Sequence, residues 1–95
     1  MNRVHFAVGV LNQIPFAWEH NLTNIRRAIK EAREVGATVL CLPELCITGY
    51  GCEDMFHGAE LHDRAWAALE SLREDTQGMV VSVGLPVELR GAVYN

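Results

Sequence analysis

The chain has 95 residues, which is enough for one small domain. It is 49% hydrophobic and 21% charged, a composition typical of a soluble globular protein rather than a disordered one. The net charge is −4 and the basic residues are scattered, so neither a nucleic acid nor a membrane surface is expected as the main partner.

The start of the chain and its cysteines predict a cytoplasmic location. The first residues, MNRVHFAVGVLNQI, contain polar breaks and no small-residue cleavage site, so we expect no secretory signal. The three cysteines, Cys41, Cys46 and Cys52, form an odd and clustered set that makes a poor disulfide framework. Reduced thiols and a cytoplasmic location are therefore expected.

The first half of the chain reads as strand, helix and strand. Residues 4–11 form an apolar run that predicts a buried strand. Residues 18–35 carry apolar side chains at helical spacing, and Gly36 follows where a left-handed helix cap is expected. Residues 38–42 are continuously apolar, which predicts a second strand that is covered on both faces.

The second half continues the alternation after a glycine-rich loop. Residues 43–58 form that loop, with one helical turn possible at 53–56, and residues 60–75 predict a second amphipathic helix. Residues 79–85 predict a third buried strand, and residues 93–95 the start of a fourth strand with little room to pair. The order predicts an α/β fold with a largely parallel sheet, as the N-terminal part of a larger domain.

One carboxylate stands where α/β proteins place their chemistry. Glu44 directly follows the second strand, and Pro43 restricts the backbone in front of it. At such a position we expect a partly desolvated carboxylate, which suits a general base. From position alone, a solvated loop carboxylate or an aid to a helix N-terminus is an equally good interpretation.

The segment PELCITGYGCED, after a helix–Gly–Ala–strand unit, resembles the nitrilase, or carbon–nitrogen hydrolase, superfamily. The closer resemblance is to the glutaminase domain of glutamine-dependent NAD synthetases. It extends over residues 1–95, through the stretch NLTNIRRAIKEAREVGATVLCLPE and through VVSVGLP followed by YN. It implies the N-terminal part of a nitrilase-like α-β-β-α sandwich domain, truncated in this chain.

The resemblance assigns roles to particular residues. It implies that Glu44 is the general base of a Glu-Lys-Cys triad and that Tyr50 lies on the substrate side, near the glutamine pocket. Glu53 and Asp54 resemble an acidic pair of the family, for which a structural role is at least as good an interpretation. No position matches the catalytic lysine or cysteine, since Lys30 lies within the first helix and is expected on the surface. We therefore expect this chain alone to be inactive.

The cysteines admit other interpretations, which the sequence disfavours. Cys41 is predicted to be a core residue of the strand, Cys46 to pack within the loop, and Cys52 to be the most exposed. Cys46, Cys52, His57 and His62 could be considered as zinc ligands. Because they lack the closely spaced cysteine pair of structural zinc sites, no metal site is expected.

The resemblance implies the activity of a longer enzyme. That enzyme hydrolyses glutamine and passes the ammonia to a domain that uses ATP and Mg²⁺ to amidate deamido-NAD. The implied partners are glutamine or another small amide, the downstream synthetase domain and further copies of the chain, with no cofactor in these 95 residues. Two alternatives remain open: a stand-alone amidase or nitrilase, and a non-catalytic α/β assembly module.

Overall fold

The computed structural model describes residues 3–50 and 58–95. The elements in chain order are β1 (Phe6–Val8), α1 (Trp18–Glu34), β2 (Val39–Cys41), α2 (Ala59–Ser71), a 3₁₀ turn (Glu74–Thr76), β3 (Val80–Ser82), β4 (Val87–Leu89) and β5 (Ala92–Tyr94). Neither α1 nor α2, the helices of the described ranges, combines the length and apolarity needed to cross a bilayer. The helical turn predicted at residues 53–56 lies outside the described residues.

The main sheet has three parallel strands with β2 in the middle. Phe6 pairs with Val39, and Val39 pairs with Val80 on the other side. This arrangement confirms the expected parallel sheet, which the strand–helix–strand order requires because each crossover returns the chain in the same direction. The carboxyl ends of all three strands therefore lie at one edge of the sheet.

Helix α1 has nearly the predicted bounds. Its apolar stripe points inward, and Ile25 and Ile29 are almost completely buried. Gly36 has a φ of 80° and its N–H donates to the Arg33 carbonyl at 3.1 Å, as a left-handed helix cap does. Val35 was predicted to belong to the stripe, but it is 76% exposed because the helix has ended before it.

Among the described residues nothing covers one face of the sheet, which corrects the prediction that the second strand is covered on both faces. The core contains residues of both helices together with Leu40, and Ala7 packs against it. Alternate side chains point the other way, so Phe6 and Val8 are 71% and 80% exposed. Cys41 was predicted to be a core residue, but it is exposed because its side chain alternates with that of Leu40.

The last strand forms a hairpin, so the prediction that it has little room to pair was wrong. β4 and β5 pair antiparallel, with Val87 opposite Tyr94 and Leu89 opposite Ala92. Arg90 and Gly91 connect them with φ values of 52° and 80°. Two successive positive φ angles are typical of the tight turn whose twist matches that of the flanking strands.

The second helix ends earlier than predicted. Residues 60–75 were expected to be helical, whereas α2 ends at Ser71 and a 3₁₀ turn covers Glu74–Thr76. This end of the helical layer is tied to α1 by an Arg26–Asp75 ion pair at 3.2 Å. Arg33 also donates to the Asp75 and Gln77 carbonyls, so the turn leads the chain into β3.

Candidate active site

Glu44 lies just beyond the carboxyl end of the central strand. The Leu42 N–H still donates to the Ser82 carbonyl at 3.0 Å, so the sheet reaches almost to this position. Leu45 then takes a left-handed φ of 53°, a strained conformation that is concentrated at functional sites. The Glu44 residue is exposed, which corrects the expectation of partial desolvation.

Two neutral donors hold the two oxygens of this carboxylate. The Tyr50 hydroxyl donates to Glu44 Oε2 at 3.1 Å. The side-chain amide of Asn95 donates to Glu44 Oε1. An ionised carboxylate has about four lone-pair sites, so two hydrogen bonds orient it and leave it able to accept a proton.

The Tyr50 hydroxyl is suited to remain a donor. Loss of hydration, followed by the hydrogen bond to Glu44 and the negative charge of that carboxylate, raises the pKa of Tyr50. The phenol therefore stays protonated at neutral pH. The structure thus places Tyr50 against the predicted general base, and 57% of the residue remains exposed to solvent.

Gly84 packs directly against the backbone of Glu44 and Leu45. A Cβ atom at this position would lie 2.3 Å from the Leu45 nitrogen and 2.9 Å from the Glu44 carbonyl carbon. The Gly84 carbonyl accepts from the Ile47 N–H at 3.0 Å, and the Gly84 N–H donates to Cys46 Sγ at 3.4 Å. The segment after β3 can approach the Glu44 turn this closely only because it has no side chain here.

A buried asparagine anchors the rest of the loop. Asn21, in the first turn of α1, is completely buried. Its Oδ1 accepts from the Ile14 N–H at 2.9 Å, and its Nδ2 donates to the Ile14 and Ile47 carbonyls at 2.9 and 3.1 Å. Gln13 adds a hydrogen bond to the Cys46 carbonyl at 2.7 Å. The loop that carries Glu44 is therefore joined to the entrance of α1 by amide side chains.

Replacing Asn21 by alanine is expected to destabilise the fold, because one buried and two partly buried backbone groups lose their partners. Each buried group left unsatisfied costs about 1–3 kcal/mol, so a total loss of roughly 3 kcal/mol in the free energy of unfolding is expected after relaxation. Chemical denaturation measures it. Thr23→Ala, at an exposed position of the same helix, is the control and should cost less than about 1 kcal/mol. Equal losses in the two variants would contradict the anchoring role.

Neither Cys41 nor Cys46 contacts the Glu44 carboxylate, and Cys46 has a packing role in the loop. Burial raises the pKa of the Cys46 thiol, against the opposing effect of its backbone hydrogen bonds, so the thiol stays protonated and inert. This confirms the predicted packing role of Cys46, whereas Cys41 lies on the open face. Cys52 lies outside the described residues, as do Glu53 and Asp54.

The remaining sequence candidates are not at the site. Lys30 is exposed on α1, which confirms the predicted surface position. His62 pairs with Glu88 of the hairpin at 3.8 Å. His57 is not among the described residues, and within residues 3–50 and 58–95 no group of histidine, cysteine and acidic side chains is arranged to hold a metal.

Sequence reasoning missed two residues that shape the site, Gly84 and Asn95. Both belong to stretches that resemble the carbon–nitrogen hydrolases, VVSVGLP and YN, but neither was assigned a role. A signal for Gly84 was present, since an isolated glycine at the end of a strand often marks a close approach of backbone. No local pattern indicated that the Asn95 side chain reaches Glu44, 51 residues away.

Comparison with known proteins identifies the family of this chain. The family model described as carbon-nitrogen hydrolase matches residues 6–95. Among curated proteins, the chain is 40% identical over 97 residues to a glutamine-dependent NAD(+) synthetase of Arabidopsis thaliana, covering 100% of this chain and 13% of that protein. The corresponding protein of Oryza sativa subsp. indica is 36% identical with the same coverage, so the chain spans 13% of the length of these relatives.

The chain also resembles solved structures of an NAD(+) synthetase and an amidase. A glutamine-dependent NAD(+) synthetase from Cytophaga hutchinsonii matches with a TM-score of 0.93 and 40% identity, over 97% of this chain and 16% of that one. An amidase double mutant from Nesterenkonia sp. AN1, in complex with acrylamide, matches with a TM-score of 0.72 and 28% identity, over 87% and 32%. These matches confirm the predicted nitrilase-like fold, and the chain belongs to the carbon–nitrogen hydrolase family.

Proposed function

We propose that this chain supplies the general-base part of a glutamine-hydrolysing site in a glutamine-dependent NAD synthetase. The observation that carries the proposal is the Glu44 carboxylate at the end of the central strand. It is held by Tyr50 and Asn95 through neutral donors and still has lone pairs free for a proton. The similarity to NAD synthetases over essentially the whole chain supports the choice of substrate.

The proposed chemistry uses a thiol and a lysine from other parts of the longer protein. Glu44 takes the thiol proton as the sulfur forms a bond to the amide carbon. The lysine ammonium stabilises the oxyanion, and the carbon–nitrogen bond breaks as Glu44 returns the proton to the departing ammonia. Water then gives a proton to Glu44 while its oxygen attacks the thioester, which releases glutamate and restores the thiol when Glu44 returns that proton.

Tyr50 has a second role in the proposal. Its hydroxyl reaches Glu44 at 3.1 Å, while 57% of the residue is exposed beside the carboxylate. A substrate that brings its amide to the base would therefore contact the tyrosine ring. We accordingly assign Tyr50 to the substrate-binding side of the site.

The remaining parts of the proposal concern the longer protein. The ammonia passes to a synthetase domain that binds ATP and Mg²⁺ and amidates deamido-NAD. ATP and Mg²⁺ are assigned to that domain and not to the residues of this chain. A cytoplasmic location and assembly into a homo-oligomer complete the proposal.

An assay of substrates on the complete protein tests this function against the amidase alternative, which the Nesterenkonia match favours. We expect release of glutamate from glutamine, together with ATP-dependent formation of NAD from deamido-NAD with glutamine as the nitrogen source. Hydrolysis of small aliphatic amides without coupling to ATP would instead identify an amidase. The 95-residue chain by itself is the control and should release no ammonia above background.

A further inference from the structure

We propose that Asn95 is a positioning residue that orients the Glu44 carboxylate for proton transfer. The proposal rests on the proposed general-base function of Glu44. Its basis is the hydrogen bond from the Asn95 side-chain amide to Glu44 Oε1, on the oxygen that Tyr50 does not contact.

The hairpin determines where Asn95 lies. Val87 pairs with Tyr94, so Asn95, which directly follows β5, is directed towards the level of Pro86, which is buried. Pro86 follows Gly84 by two residues, and Gly84 packs directly against the Glu44 backbone. Residues 84–95 therefore contact Glu44 at two points. Gly84 packs against its backbone, and Asn95 binds its side chain.

Tyr50 and Asn95, the two residues that donate to Glu44, belong to different parts of the fold. Tyr50 belongs to the loop that also carries Glu44, six residues away, and would move together with it. Asn95 comes from a separate two-stranded sheet, 51 residues from Glu44. Within residues 3–50 and 58–95, the Asn95 contact is the one that ties the Glu44 carboxylate to a second structural element, so it orients the carboxylate plane relative to the hairpin.

The chemistry of the donor also fits this role. An amide N–H orients a carboxylate without adding a positive charge. A positive charge would favour the ionised carboxylate and make it a weaker base. Hydrogen bonds to a charged group are stronger than those between neutral groups. Loss of the Asn95 hydrogen bond should therefore misorient the Glu44 carboxylate but leave the carboxylate present.

Steady-state kinetics of glutamine hydrolysis in the complete protein test the proposal. Asn95→Ala should lower kcat by about 10- to 100-fold, the loss expected from one hydrogen bond to a charged group, with KM little changed. The acid limb of the pH–rate profile should move to higher pH, because a carboxylate that has lost a donor binds a proton more readily.

Asn95→Asp keeps the shape but replaces the donor by a second carboxylate. It should move the acid limb further in the same direction, because like charges favour protonation of one of them. Tyr94→Phe, on the same strand, is the matched control and should leave kcat and the pH profile unchanged. Glu44→Gln provides the benchmark for loss of the base.

The outcomes separate this proposal from the proposed function. If Glu44→Gln abolishes hydrolysis while both Asn95 variants keep the kcat and pH profile of the parent protein, the positioning role is wrong and the general base stands. If Glu44→Gln has no effect, the general-base assignment itself fails. A loss of activity in Asn95→Ala without a shift of the pH profile, fully restored in Asn95→Asp, would indicate a merely structural asparagine and would also overturn the proposal.

Discussion

Replacing Glu44 by glutamine is expected to lower kcat for glutamine hydrolysis by about 10²- to 10⁴-fold, the range that general-base catalysis contributes. The amide of glutamine has nearly the shape of the carboxylate but cannot take up a proton. Its NH₂ group would also face one of the two donors, Tyr50 or Asn95, and lose that hydrogen bond. Measurement of glutamate release in the complete protein shows the effect.

Two controls make this prediction specific. Synthesis of NAD with free ammonia by the complete protein should continue in Glu44→Gln, because the substitution is confined to the proposed glutamine site and nearly preserves the shape of the side chain. Glu44→Asp keeps the charge but retracts the carboxylate, so its activity should fall between those of the parent and Glu44→Gln. Glutamine turnover at the parental rate in Glu44→Gln would rule out the general-base role.

Replacing Gly84 by alanine is expected to have the second large effect, this time on both stability and activity. The added Cβ would meet the Leu45 nitrogen at 2.3 Å, and the atoms it meets belong to the backbone, so no side-chain rotation relieves the clash. Overpacking costs about 1–3 kcal/mol, and more where the surroundings cannot yield, so the free energy of unfolding should fall by at least that amount. Glu44 should be displaced as its backbone moves.

Gly78→Ala is the matched control for this change. Gly78 has no heavy atom within 4 Å of a built Cβ, so only its left-handed φ of 77° resists the substitution. That cost is about 1–2 kcal/mol, and activity should be unaffected. Chemical denaturation and glutamine hydrolysis of both variants provide the comparison. A Gly84→Ala protein as stable and active as Gly78→Ala would show that the close approach to Glu44 is unimportant.

The parallel sheet and its first helix follow from local patterns. Apolar side chains at helical spacing predicted α1 to within a residue, and Gly36 marked its end with the expected positive φ. Such features are readable because the residues that determine them are neighbours along the chain. The end of the second helix was predicted less accurately, because the 3₁₀ turn at Glu74–Thr76 depends on contacts with α1.

The hairpin and the open face were not predictable in the same way. The tight turn at Arg90–Gly91 contains one glycine and no Asn-Gly or Asp-Gly signal, so it was overlooked. Continuously apolar strands suggested cover on both faces, but both helices of the described residues pack on one face. Cys41 is exposed for this reason, although its sequence environment is apolar.

By itself, the sequence determined the helix and strand order as far as the third strand, the position of Glu44 at a strand end and the resemblance to the carbon–nitrogen hydrolases. These depend on periodicity and on a contiguous motif, which neighbouring residues encode. Only the tertiary structure decided what surrounds the carboxylate: Gly84 against its backbone and Asn95 on its second oxygen. Those contacts join residues 40 and 51 positions apart, and chain folding rather than local sequence brings such residues together.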